Sequence, residues 1–225
     1  MKNVIKVSVG FMLSFVLFVS FSLFSQEAKA AGPEKIKVPS KVELINQGVD
    51  SSKVDKLIKK MESGKKLDAD KYLEKLGDGA VLATEENPHY RKDFADGSFV
   101  ENTIEDITEK ENAKNMQLRS ITQIGGTQEY RTLKISTTKV WGTMSFKVKI
   151  YFPLSGYSKI LQAYDWYYLG SVYAENYKGI YRASETATAD AVAIYKLQIE
   201  VAGNTGVRYL VKTEFRIRDG RYWTV

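Results

Sequence analysis

The sequence predicts a mainly β protein: an antiparallel β-sandwich or small barrel preceded by a short helical and hairpin N-terminal segment. Three observations carry this. Thr143–Phe152 places Met144, Phe146, Val148, Ile150 and Phe152 on one parity and Thr143, Ser145, Lys147, Lys149 and Tyr151 on the other. Side chains of a strand alternate between faces, so this stretch reads as a strand with one buried and one wet side. Further strand-like runs continue to Val225, separated by turn sequences such as Pro153-Leu154-Ser155-Gly156, Gly203-Asn204-Thr205-Gly206 and Asp219-Gly220, as in sandwiches and barrels. The helical crossovers that a parallel βαβ sheet requires are missing from this region.

The chain opens differently. Lys2 and Lys6 precede Val7–Phe24, an uncharged run of 18 residues, and Ala28-Lys29-Ala30 supplies a small-x-small site. This is the pattern of a cleaved signal peptide spanning residues 1–30. The run is near the lower limit for a membrane span, and Ser8, Ser14, Ser20 and Ser22 weaken it as a permanent one. Export is therefore expected, with a secreted product that is extracellular or associated with the cell wall. There is no cysteine, which excludes a disulfide framework and a diacyl-lipid anchor and suits a bacterial exported protein. The formal net charge is +6. Loss of the signal segment removes three lysines and one glutamate, leaving a mildly basic chain. That balance is compatible with an anionic cell wall and too weak to indicate nucleic acid.

Residues 31–126 read as an N-terminal spacer with short helices and a β-hairpin. Ala31–Val49, with Pro33 and Pro39, shows no sustained period and is expected to be exposed and partly extended. Val54, Leu57, Ile58 and Met61 then follow helical spacing behind Ser51 or Ser52, with Gly64 as a stop. A second helical stretch begins at Asp68 or Asp70 and ends at Gly77. Asp96-Gly97 marks a hairpin turn, because glycine takes the positive φ that a tight turn demands. Thr103–Ser120 is polar, a linker or marginal helix. A domain boundary is placed near Gly125-Gly126, with the antiparallel β domain over 127–225.

Met61-Glu62-Ser63-Gly64-Lys65-Lys66-Leu67-Asp68 and the later Phe94-Ala95-Asp96-Gly97-Ser98 together resemble a pattern found in uncharacterised secreted proteins of Gram-positive spore-forming bacteria. Those proteins join a signal peptide, a Met-Glu-x-Gly-Lys segment and an Asp-Gly-Ser hairpin to a β-rich C-terminal part. The pattern usually has prolines beside Leu67 and at the Ala95 position, and this chain has neither. The resemblance covers about half of the mature chain. It implies location and architecture, and no catalytic residues.

Candidate chemistry is sparse. His89 is the only histidine, with no second histidine or cysteine for a zinc site and no Gly-x-Ser-x-Gly elbow for a hydrolase. Ser136-Thr137-Thr138-Lys139 matches Ser-x-x-Lys, but its surroundings predict a strand, where those two residues face opposite sides. Asp68-Ala69-Asp70-Lys71-Tyr72-Leu73 starts like a calcium loop and then has leucine where the turn glycine belongs. No phosphate-binding glycine loop is present and no cofactor is expected. Asp165, Glu175, Glu185 and Asp190 are carboxylates that a glycosidase would need paired, and chain spacing does not show which converge. The chain is read as non-catalytic.

Binding is better supported. Eleven of the 14 tyrosines lie between Tyr151 and Tyr222. Tyr164, Trp166 and Tyr168 are expected to share one strand face and offer amphipathic rings to a sugar or peptide, or simply to fill the core. Arg208, Lys212, Arg216 and Arg218 form a basic row suited to an anionic polymer, or to keeping a strand soluble. The favoured reading is a secreted protein that binds cell-wall glycan or anionic polymer through Tyr164, Trp166, Tyr168, Arg208, Lys212 and Arg216. The alternative is a secreted toxin or antagonist acting on membranes, since the alternation of Thr127–Phe152 also suits an inserting hairpin.

Overall fold

A computed structural model describes residues 38–77, 80–114, 128–169, 174–200 and 208–225, with the side chains of 112–114, 174, 200, 208 and 209 excepted. The expected signal peptide and the strand expected at Ser171–Tyr173 lie outside these residues. Pro33–Val225 forms one compact unit.

Three helices open the described chain. α1 (Lys41–Asn46) starts at Ser40, whose hydroxyl accepts from the Glu43 N–H while the Glu43 carboxylate accepts from the Ser40 N–H. This reciprocal capping box, Ser-x-x-Glu in sequence, satisfies two of the helix's orphan donors. Leu44 and Val49 are buried, so part of the stretch expected as an exposed spacer is instead packed structure. α2 (Ser51–Glu62) is capped by Asp50 and buries Val54, Leu57 and Met61, the expected face. α3 (Asp68–Leu76) ends at Gly77, whose φ of 66° is the left-handed conformation glycine adopts without penalty.

Strands β1 (His89–Asp93), β2 (Phe99–Asp106), β3 (Glu129–Lys139), β4 (Gly142–Phe152) and β5 (Lys159–Leu169) form one antiparallel sheet in that order. β6 (Ala174–Arg182), β7 (Ala191–Glu200), β8 (Arg208–Arg218) and β9 (Arg221–Thr224) form a second. Among the described residues the chain is thus mainly β, with two antiparallel sheets and no closed barrel. The inner faces are the predicted parities: Met144, Phe146, Val148 and Ile150 of β4, and Val211, Phe215 and Ile217 of β8, all belong to one buried cluster with Leu133, Ile135, Tyr195 and Leu197.

The N-terminal part belongs to this sandwich. β2 pairs with β3 from Val100↔Lys139 to Asp106↔Leu133. The extended segment at 82–85 runs beside β9, with hydrogen bonds from Leu82 N to Thr224 O, Thr224 N to Ala83 O and Glu85 N to Tyr222 O. Residues before and after the expected boundary at 126 therefore share a sheet and a core, which corrects the division into an N-terminal spacer and a separate 127–225 domain. The polar stretch from Thr103 likewise proves to be strand through Asp106, followed by helix α4 (Thr108–Lys114). Ile104 looked isolated in sequence because only one face of this strand is apolar.

The stretches Met61–Asp68 and Phe94–Ser98 meet in space. Leu67, the residue before α3, gives no side-chain cap. The hairpin supplies it from a distance: Asp68 N–H donates to Asp96 Oδ2 at 2.9 Å and Ala69 N–H to Ser98 Oγ at 3.0 Å. Lys60 Nζ reaches Asp96 Oδ2 at 2.7 Å and Asp68 Oδ1 at 2.9 Å. The Asp-Gly-Ser turn thus fastens α2 and α3 to the β1–β2 hairpin.

Candidate functional site

The aromatic run of β5 does not present one face. Tyr164 stands opposite Lys147 and Tyr167 opposite Ser145, so two residues of β5 sit across from the single residue Phe146. The irregularity is a β-bulge, and Asp165 within it has a φ of 51°. Aspartate tolerates this left-handed conformation better than most residues, and the extra residue reverses the parity of what precedes it. Tyr164 accordingly lies on the outer face with Lys147, while Trp166 and Tyr168 point into the sandwich. This corrects the expectation that Tyr164, Trp166 and Tyr168 form one binding face.

Trp166 stacks on Phe146 at 4.7 Å between ring centroids and meets Tyr195 edge-on at 5.2 Å. Tyr168 donates to the Trp141 carbonyl at 3.5 Å, and burial raises its hydroxyl pKa. Trp166 thus bridges the two sheets. Trp166→Ala is expected to cost about 2–3 kcal/mol, short of the ~3–5 for a fully enclosed tryptophan, read as a lower urea midpoint. Unchanged stability would mean that the ring belongs to a ligand surface after all.

On the outer face, Lys147 Nζ is held between Glu111 and Asp165, at 2.8 Å from each carboxylate. These hydrogen bonds, the one donated to Asp165 foremost, raise the lysine's pKa. The Lys147 and Lys149 ammonium groups lie 5.7 and 5.6 Å from the Tyr164 ring centre. Burial raises the Tyr164 hydroxyl pKa, with Glu111 adding to it.

The basic row of β8 is largely neutralised. Arg216 pairs with Asp190 at 3.0 Å and with Glu214, Arg218 with Asp190 at 3.0 Å, and Lys212 with Glu214 at 3.0 Å. Glu214 is itself buried. The Arg208 side chain lies outside the described residues. The four carboxylates raised as hydrolytic candidates are each engaged separately: Asp165 by Lys147, Glu175 by Lys178, and Asp190 by the arginines. Glu185 accepts the backbone N–H groups of Ser158 and Asp219 at 2.6 and 2.7 Å. His89 sits 2.7 Å from Glu101, exposed. Ser136 and Lys139 face opposite sides of β3, as their spacing predicts. Asp68 and Asp70 begin a helix rather than a calcium loop, and no cluster of potential metal ligands occurs among the described residues.

The arrangement with the strongest binding chemistry is a cavity of about 400 Å³ between α3 and strands β7 and β8. Leu73, Leu76, Leu82, Leu210 and Val225 contribute apolar wall, and four lysines contribute charge: Lys66, Lys139, Lys196 and Lys212. Two carboxylates, Asp70 and Glu74, also line it. Lys66 is paired with Glu74 at 2.5 Å and Lys139 with Asp70 at 3.1 Å. Lys196, which faces Lys212 across the β7–β8 pairing, has no carboxylate partner among the described residues. Of the residues expected to bind ligand, only Lys212 lines this cavity. The rest of its lining comes from residues 66–82 and from Lys139, Lys196, Leu210 and Val225, too far apart in the chain to show as a group. A second recess, of about 540 Å³, lies beside Arg218, Arg221 and Trp223.

Two antiparallel sheets with an N-terminal helical layer define the class of this protein. Searches of protein-family models, curated proteins and solved structures find no match for the chain.

Proposed function

We propose that this is an exported, non-catalytic protein that binds an anionic polymer or glycan of the Gram-positive cell surface. The observation that carries the reading is the cavity, where four lysines meet two carboxylates over an apolar wall. Its volume falls in the range of sites for small ligands, so it would hold one unit or one end of a polymer. Lys196, which has no carboxylate partner among the described residues, supplies positive charge to one wall, with Lys212 on the adjacent strand paired with Glu214. Export rests on the N-terminal sequence alone, read as a signal peptide from Lys2, the apolar run and the Ala-Lys-Ala site. No helix among the described residues is long and apolar enough to cross a membrane.

The test is co-sedimentation of purified protein with Gram-positive cell walls across a salt series. Retention that falls with salt, and falls further in Lys196→Ala, is expected, because screening weakens exposed charge contacts. Absence of retention at every salt concentration overturns the proposal. Leakage of dye from anionic liposomes would instead favour the toxin reading.

A further inference from the structure

The cavity's buried end has hydrogen-bonding capacity that the protein does not use. Asp70 and Lys139 are both more than nine-tenths buried as residues, and Lys139 Nζ donates to Asp70 Oδ1 at 3.1 Å. The second carboxylate oxygen, Asp70 Oδ2, is buried with no hydrogen-bond partner. Lys139 carries three N–H donors, and among the described residues only that one bond engages them. A buried acceptor and buried donors left open side by side are costly, and native proteins rarely leave such groups without a partner.

We infer that this end of the cavity reads the hydroxyls of a polyol, and that the anionic group of the same ligand lies against Lys196 and Lys212, so that the recognised unit is a polyol phosphate such as glycerol phosphate or a sugar phosphate. A hydroxyl both donates and accepts, so one hydroxyl, or two neighbouring ones, can donate to Asp70 Oδ2 and accept from Lys139. A phosphate cannot fill that end. A phosphate monoester, with its second pKa at about 6, is mostly a dianion at neutral pH, so it offers acceptors alone and Asp70 repels it. Lys196 offers an ammonium group with no carboxylate paired to it among the described residues, and Lys212, itself paired with Glu214, stands across from it. Leu73 and Leu210, elsewhere on the wall, suit the C–H faces of a carbon chain or ring. The inference rests on the anionic-ligand reading and narrows it to a chemical class.

Calorimetric titration of the purified protein with three probes decides it: sn-glycerol 3-phosphate, ethyl phosphate and inorganic phosphate. Glycerol phosphate is expected to bind about tenfold tighter than ethyl phosphate, which lacks the hydroxyls. Asp70→Asn should reduce that preference, while Lys196→Ala should weaken all three probes together. Equal affinity for glycerol phosphate and ethyl phosphate overturns the polyol inference and leaves anionic binding standing. No binding of any probe, together with wall retention indifferent to Lys196→Ala, overturns both. The comparison of probes on the unmodified protein decides the matter even where Asp70→Asn folds poorly.

Discussion

Asp96→Ala is expected to destabilise the protein by about 3–5 kcal/mol at neutral pH, the cost of breaking a buried charge network by removing one partner. Asp96 is only 4% exposed. Its carboxylate accepts from Lys60 Nζ at 2.7 Å, Asp68 N at 2.9 Å, Ser98 N at 3.0 Å and Ser98 Oγ at 2.5 Å. Alanine would strip α3 of half its N-terminal capping and leave the Lys60 ammonium with Asp68 alone. Such hydrogen bonds to a charged group contribute ~1.5–3 kcal/mol each before relaxation. Equal urea midpoints for Asp96→Ala and the parent protein would refute the clamp.

The same group gives the fold an acid limit. Burial by itself pushes the Asp96 carboxyl pKa up, but the Lys60 ammonium, Ser98 and the two backbone N–H groups outweigh it and hold it at about 2, against an ordinary 3.8. A carboxylate with a depressed pKa stabilises the fold above its unfolded pKa and loses that contribution as pH falls through the folded value. Stability from this site is therefore full above pH 5 and declines between about pH 4 and pH 2. By linkage its size is about 2 kcal/mol. The Asp96→Ala variant should show a shallower loss of stability across that window.

What sequence reveals here follows from how local each signal is. The alternation of β4 and β8 survives into the structure because one face of each strand meets the opposite sheet, and Phe146 and Phe215 are completely buried. β5 misleads because parity is only as good as the register. A single residue in a left-handed conformation moves Tyr164 to the other side, and the only local hint is an aspartate inside an aromatic strand. α1 has a local signal in the capping box Ser40-x-x-Glu43, which the reading of 31–49 from its prolines and lack of a sustained period passes over. The clamp was half legible, since Asp68, Asp96 and Ser98 stand in the two stretches singled out in the sequence, but Lys60 and Asp96 are separated by 36 positions. The cavity was hardly legible at all. Its lysines come from a helix approach, a hairpin end and two neighbouring strands, and only their folding together makes them a group.

The second large effect expected is at Lys139. Removing it alone, as Lys139→Ala, leaves the Asp70 carboxylate charged in a site where Asp70 is 7% exposed, and should cost about 3–5 kcal/mol. Asp70→Ala should cost a similar amount by stranding the Lys139 ammonium, itself 5% exposed. The two losses are not additive, because each variant is destabilised chiefly by the partner it abandons. Replacing both at once, Lys139→Met with Asp70→Leu, removes both desolvation costs and is expected to return stability to within about 1 kcal/mol of the parent. A double-mutant cycle on urea midpoints measures this. Additive losses would show that the two groups do not interact in the folded protein. Recovery of stability in the double variant, together with loss of the preference for glycerol phosphate, would separate the two roles of the pair. A pair dispensable for folding and required for discrimination is held in a buried site for what it recognises, since an apolar pair would fold as well.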